Sequence, residues 1–277
     1  MTAKRLMAVL AHPDDETLGF GGVLAKYAAE GVETFLVTAT RGEYGWFGAP
    51  DDNPGPGELG RIREGELRNA ADILGVREVT MLDYIDGQLD QAEPDRVIGE
   101  IAHAMRWVRP DVVVTFGQDG LYGHPDHIAI SQFATAAVMR AGFHAGGFTD
   151  AGHRVSKLYY RAANHSWLKE YEQAFGELVM HIDGVERRAP GWGDWVMTTR
   201  VDAVEHWETV WAAVRQHRSQ LPGYEKLLNL PASAHREFWG RQDYYRVMSQ
   251  VNGGRSVERE LFEGIEREMP VAVKAAA

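Results

Sequence analysis

The sequence contains no cysteine among its 277 residues. Disulfides, thiol nucleophiles, iron–sulfur clusters and thiolate zinc sites are therefore excluded, and any metal must be held by His, Asp or Glu. A Lys/Arg-rich stripe is also missing: 40 acidic residues stand against 29 basic ones, a formal charge of −11. Such a chain repels phosphates, which argues against nucleic acid and anionic membrane as partners. No apolar run approaches the roughly 18 to 20 residues of a membrane span. The N-terminal apolar stretch at 6–11 runs directly into His12-Pro13-Asp14-Asp15, too short for a signal-peptide core, so the expected location is cytoplasmic. What remains is ordinary globular composition, 44% hydrophobic and 25% charged, enough for one large core or two small ones.

Up to about residue 145, short β-branched runs alternate with longer segments of helical period, the pattern of an α/β fold with a mostly parallel sheet. Strands are expected at 5–11, 33–40, 78–82 and 111–116, and helices at 17–30, 58–74, 94–108 and 126–141, with Gly31 and Gly75 as stops. Residues 41–57 carry too many Gly and Pro for a regular element. The second half is less regular. Strands are expected at 157–163, 179–182 and 198–201 and a helix at 203–220, followed by an aromatic-rich stretch to 246 and a frayed tail at 271–277. No linker divides the chain, so 1–277 reads as one domain with a core at about 1–145 and a remainder, about 146–270, that helps to shape the site.

Two His/Asp-rich turns follow predicted strands: Ala11-His12-Pro13-Asp14-Asp15-Glu16 and Gly123-His124-Pro125-Asp126-His127. In an open parallel sheet, ligands bind beyond the carboxyl ends of the strands where the strand order reverses. If the first strand lies beside the fourth, the two turns face each other there. His12 and Asp15, three apart around Pro13, can then turn to one side, and His124 or His127 would complete a set of three ligands with a fourth position for water. Asp14 would stand beside the metal, placed to take a proton from water. The plainer reading is that Asp15 or Asp126 only caps a helix. No such argument attaches to His103, His144, His153, His165, His181, His206 or His235. The run Gly19-Phe20-Gly21-Gly22 lacks the third glycine of a dinucleotide fingerprint and reads as close helix packing. Walker A, His-Glu-x-x-His and Gly-x-Ser-x-Gly motifs are absent from the sequence.

Together the two turns resemble the LmbE-like, or PIG-L, family of zinc-dependent N-acetylglucosaminyl deacetylases, with a weaker echo at His217-Arg218-Ser219-Gln220. The resemblance covers about the first 145 residues. It implies a Rossmann-like three-layer fold with the metal at the carboxyl ends of the strands, Zn2+ as the usual metal with another divalent ion such as Fe2+ as the alternative, and hydrolysis of an acetamido group on a small amino-sugar substrate. Carried over by position, it makes His12, Asp15 and His127 the metal ligands and Asp14 the general base. It makes His124 a protonated partner of the oxyanion, tuned by Asp126, and Tyr122 a further oxyanion donor. Arg63 and Asp86 fall where members contact sugar hydroxyls; the plainer reading of Arg63 is a helix-surface ion pair with Glu66 or Glu58. Relatives commonly self-associate, so a homo-oligomer is compatible with it.

The connection at 41–57 is far longer than the usual 2 to 6 residues and starts on the site side, as lids and binding loops do. Its Tyr44, Trp46 and Phe47, like Trp192 and Trp195, suit stacking on a sugar or packing over the core. Two other activities compete: an amidase for a larger acyl group on a glucosamine conjugate, and a non-catalytic sugar- or metal-binding protein on the same scaffold.

Overall fold

A computed structural model describes residues 3–143, 152–175, 177–182, 184–251 and 257–266. His144 and the tail at 271–277 lie outside the described residues. Nine strands are present among them: β1 (Arg5–Leu10), β2 (Glu33–Thr40), β3 (Val76–Tyr84), β4 (Val112–Phe116), β5 (Lys157–Arg161), β6 (Val179–Ile182), β7 (Val185–Arg188), β8 (Thr199–Asp202) and β9 (Arg241–Ser249). Seven of them form one sheet in the order β3-β2-β1-β4-β5-β9-β8, while β6 and β7 make a separate hairpin. Strands β1 to β5 pair in parallel, and β9 runs antiparallel to both β5 and β8.

Residues Leu6 to Ala11 are at most 1% exposed. A run buried on both faces needs helices above and below the sheet, and the chain supplies them. The helices are α1 (Asp15–Leu18), α2 (Gly21–Ala29), α3 (Pro56–Leu74), α4 (Pro94–Val108), α5 (Gly120–Gly123), α6 (Pro125–Ala141), α7 (His165–Phe175), α8 (Trp207–Val214), α9 (Glu225–Leu228) and α10 (Ala232–Gly240). Right-handed crossovers place α2 and α3, which lead outward from β1 to β3, on one face; α4 and α6, which return through β4 to β5, lie on the other. Accordingly α2 and α3 pack with α8, and α4 packs with α6. The order reverses between β1 and β4, whose register pairs Leu6 with Val112 and Ala8 with Val114. Their two exits, and with them the two His/Asp turns, are therefore neighbours.

The helix expected at 17–30 is two pieces, α1 and α2, broken at Gly19-Phe20. The Gly19 carbonyl freed by the break accepts from Arg161 Nε at 3.1 Å and Gln242 Nε2 at 3.3 Å, so tertiary partners replace the helical ones. Gly21 and Gly22 allow the close packing the sequence suggested: a Cβ would lie 2.8 Å from Val210 of α8 at the first, and 3.0 Å from Gln242 of β9 at the second. The helix expected at 203–220 ends at Val214 because the chain beyond turns inward, His217 onto Glu16 and Ser219 onto Glu66. Strands β7 and β9 and helix α7 have no counterpart in the sequence reading.

The strand β9 and the segment at 257–266 are joined to the sheet through a buried cluster. Lys157 Nζ lies 2.8 Å and Arg246 Nη1 2.5 Å from Glu258 Oε1, and the Tyr159 and Thr199 hydroxyls donate to Oε2 at 2.7 and 2.8 Å. Burial by itself would raise the Glu258 carboxyl, but these donors and the Lys157 charge hold it below its ordinary value of 4.5. The cluster therefore stabilises the fold fully above about pH 4.5, and the contribution is lost as the pH falls through the depressed folded value. Glu258→Gln, which leaves two cations without their anion, is expected to cost about 3 kcal/mol at neutral pH. Thermal unfolding of the two proteins checks this, with the gap in Tm closing in acid; a constant gap would assign the loss to packing instead.

Candidate active site

The first turn is closed by its own second aspartate. Asp15 Oδ2 accepts the backbone N–H of Ala11 at 3.1 Å and of His12 at 2.8 Å, which leaves Oδ1 facing His127 Nε2 at 3.2 Å. The second turn begins at Gly120, with a positive φ, and ends in α6, where His124 Nδ1 accepts the N–H of Asp126 at 3.1 Å as an N-cap. His127 Nδ1 lies 3.2 Å from the Gly120 carbonyl, and its ring stacks on Phe116 with centroids 4.0 Å apart. A carbonyl can only accept, so Nδ1 carries the proton and Nε2 presents a lone pair. His12 follows the same logic. Its Nε2 faces Asp126 and Asp86, each at 3.1 Å, and its Nδ1 faces His127 Nε2 at 3.2 Å and Asp15 at 3.7 Å.

Two imidazole lone pairs and a carboxylate oxygen thus converge on one buried point from His12, His127 and Asp15. Facing lone pairs repel unless a cation lies between them, and His₂Asp is a donor set suited to a divalent transition metal. The second shell fits as well: a carboxylate on His12 and a carbonyl on His127 orient both rings. The surroundings favour positive charge at this point: burial disfavours charge on His12, but Asp126, Asp86 and Asp15 outweigh it and raise the imidazole well above its ordinary value, so a metal bound here would displace a proton from the ring. Asp15, also buried, is held far below the usual carboxylate range by His127 and His12. A second overlapping group, His12, His124 and Asp126, lies beside the first.

Asp14 is the strained residue of the site. Its φ of 104° is a conformation non-glycine residues seldom adopt. Its N–H donates to Glu16 Oε2 at 2.9 Å, and Glu16 Oε1 meets His217 Nε2 at 2.6 Å, both side chains being fully buried. Its side-chain Oδ2 accepts from Tyr224 at 2.6 Å and from Arg63 Nη2 at 3.2 Å. Burial raises the Asp14 carboxyl despite the Arg63 guanidinium. His124 is pushed down to about 3 by burial and by the neighbouring His127 and His12. The Tyr122 hydroxyl stays protonated well above its ordinary value, through burial and the Asp15 and Asp14 charges, and its ring stands edge-on to His127 at 5.2 Å. Leu121, at φ 70°, forms part of the irregular turn that carries it.

All nine residues singled out in the sequence meet here. Asp126 is fully buried and its carboxylate faces His12, accepting the N–H of Gly87 at 2.7 Å and of Leu89 at 3.0 Å. It touches His124 only through the backbone N–H of the N-cap. Arg63, 3% exposed, is no surface pair: it donates to the Pro13 and Gly42 carbonyls at 2.5 and 2.8 Å as well as to Asp14, while Glu58 is paired with Arg61 and Glu66 accepts from Ser219. Asp86 accepts the Tyr44 N–H at 3.0 Å and is held at about 2, where burial is outweighed chiefly by His12. The sequence reading missed Glu16, Glu43 and Tyr224. Glu43 Oε1 accepts the Asp86 N–H at 3.1 Å, while its buried Oε2 has no partner among the described residues. A Glu on a Gly-rich loop and a Tyr 210 residues from Asp14 carry no local signal.

The sheet order gives a Rossmann-like α/β fold, and the His₂Asp cluster at its reversal point is a group of side chains that could hold a metal ion. The PIG-L family model, described as GlcNAc-PI de-N-acetylase, matches residues 7–138. A 1D-myo-inositol 2-acetamido-2-deoxy-alpha-D-glucopyranoside deacetylase of Thermobispora bispora is 32% identical across 96% of this chain and 100% of its own length. The chain belongs to the PIG-L, or LmbE-like, family, and it is an amide hydrolase of the deacetylase class. The fold itself is less specific. N,N'-diacetylchitobiose deacetylase of Pyrococcus horikoshii matches at a TM-score of 0.64 with 22% identity, over 88% of this chain and 84% of that one. GalB, the 4-carboxy-2-hydroxymuconate hydratase of Pseudomonas putida, matches at 0.64 with 16% identity, over 91% and 99%. One scaffold thus supports two chemistries, and the site residues must carry the assignment.

Proposed function

We propose that this protein is a zinc-dependent deacetylase acting on N-acetylglucosamine joined to a small polar aglycone, inositol being the one in the relative's name. The observation that carries the reading is the convergence of His12, Asp15 and His127 with Asp14 alongside. Those three residues would hold a zinc ion, which when bound would supply Lewis-acid polarisation of the acetamide carbonyl and a lowered pKa for nearby water.

The chain's own groups do the rest. Asp14, with Oδ2 occupied by Tyr224 and Arg63, offers Oδ1 to take the proton of the attacking water; its raised pKa suits it to return that proton to the leaving amine. His124 accepts the Asp126 N–H at Nδ1, so as a neutral ring it carries its proton on Nε2 and serves as an uncharged donor to the oxyanion, in place of the protonated one the resemblance suggests. The Tyr122 hydroxyl is a second donor, and each such donor contributes about 3 kcal/mol to the transition state. Arg63 acts through Asp14. Asp86 and the unpartnered Glu43 Oε2 are the acceptors for sugar hydroxyls, next to Tyr44 of the long loop.

Free-amine release by zinc-reconstituted protein tests the reading. The panel comprises N-acetylglucosamine, its inositol glycoside, N,N'-diacetylchitobiose and a longer-acyl analogue. Release is expected to be fastest with the acetylated inositol glycoside and to fall by about 100-fold or more in Asp14→Asn. A protein carrying one zinc per chain that releases no amine from any of them would overturn it, and preference for the longer acyl group would make it an amidase of that kind.

A further inference from the structure

The Tyr224 hydroxyl, from the turn at 221–224, donates to Asp14 Oδ2 at 2.6 Å, the shortest contact that carboxylate makes. Arg63 reaches the same oxygen at 3.2 Å, and its guanidinium is shared with the Pro13 and Gly42 carbonyls at 2.5 and 2.8 Å. Among the described residues no donor meets Asp14 Oδ1. One carboxylate oxygen is therefore anchored twice and the other left open, on a residue whose backbone already sits at an unusual φ.

The anchor is itself built in. The Leu221 N–H donates to the His217 carbonyl at 3.2 Å and the Gly223 N–H to that of Gln220 at 2.9 Å. His217 is fixed on Glu16, and Gln220 Nε2 donates to the Gly45 carbonyl of the long loop at 2.9 Å. Phe47 of that loop lies against Gly223, where a Cβ would come within 2.9 Å of its ring, and its centroid is 6.5 Å from that of Tyr224. The phenol is thus held on two sides, and only its hydroxyl touches the carboxylate.

We propose that Tyr224 is a positioning residue for the hydrolysis: its hydroxyl locks the Asp14 carboxylate so that Oδ1 faces the attacking water. This rests on Asp14 being the base. Held by Arg63 alone, the side chain would swing about its χ angles and spend part of its time with neither carboxylate oxygen facing the water, so the loss falls on the chemical step and not on substrate binding.

Tyr224→Phe keeps the ring and removes only the hydroxyl. The expected result with the zinc-loaded protein is a kcat lower by roughly 10-fold, the scale of one hydrogen bond to a charged group, with KM and zinc content unchanged. In an Asp14→Asn background, read by single turnover at enzyme excess, the same change should add less than about threefold, because residues that act as a unit are not additive. A crystal structure of the variant should show the Asp14 carboxylate in more than one rotamer. A kcat within twofold of wild type, a loss carried by KM or zinc content, the full loss repeated in the Asp14→Asn background, or a single unchanged rotamer would each overturn the proposal. An Asp14→Asn protein as active as wild type would instead remove the base assignment, and the rotamer result would still decide whether Tyr224 locks the side chain.

Discussion

Asp14→Asn is expected to lower kcat by about 10²-fold to 10⁴-fold, the range of general acid–base catalysis, while zinc stays at one per chain. The separation follows from the two aspartates' different surroundings. Asp15 faces His12 and His127 and has both oxygens committed, whereas Asp14 faces Arg63 and Tyr224. An amide at position 14 preserves the volume and can still accept the Tyr224 hydrogen bond, but it has no basic oxygen for water. Metal analysis beside steady-state kinetics checks this: turnover within threefold of wild type would remove Asp14 from proton transfer, and parallel loss of zinc and activity would make it a ligand.

His127→Ala is expected to abolish detectable turnover and to weaken zinc binding by more than about 100-fold, beyond the 10- to 100-fold that loss of an outer-shell partner costs. The start of the helix survives the change, because its cap is made by His124 and not by His127, while the space vacated beside Phe116 costs some stability, which a melting curve separates from the loss of metal. Competition with a chelator, followed by metal analysis, gives the affinity. Unchanged zinc content after dialysis would exclude His127 as a ligand and move the centre to the neighbouring His12, His124 and Asp126.

Much of this site is legible in the sequence because its parts are local. His12, Asp14 and Asp15 share one turn and Tyr122, His124, Asp126 and His127 another, each after a strand whose apolar run is plain. The strand order that brings them together entered the sequence reading only as a condition, and the observed sheet meets it. Where the reading falls short, long-range contacts override local preference. The helix expected to 220 stops because a buried Glu16 takes His217, and of the two readings offered for Arg63 the surface ion pair gives way to a buried side chain that donates to the carbonyls of Pro13 and Gly42. Strand β9 carries Gln242 and Asp243 inward, both buried, so its alternation is not the apolar-in pattern that marks a strand. Tyr224 could be found only by knowing that the stretch after His217 folds back across the first turn.

The left-handed backbone at Asp14, together with its buried carboxylate, also bears on how this protein can be improved or degraded by selection. A positive φ at a non-glycine residue costs of order 1–3 kcal/mol, and burial resists the carboxylate's charge as well. Asp14→Gly would relax the backbone, but it would also leave the buried Arg63 guanidinium and the Tyr224 hydroxyl without their carboxylate, so selection for heat resistance alone gains little by removing this residue. The partners that hold the base thus also shield it from loss when stability is the only demand.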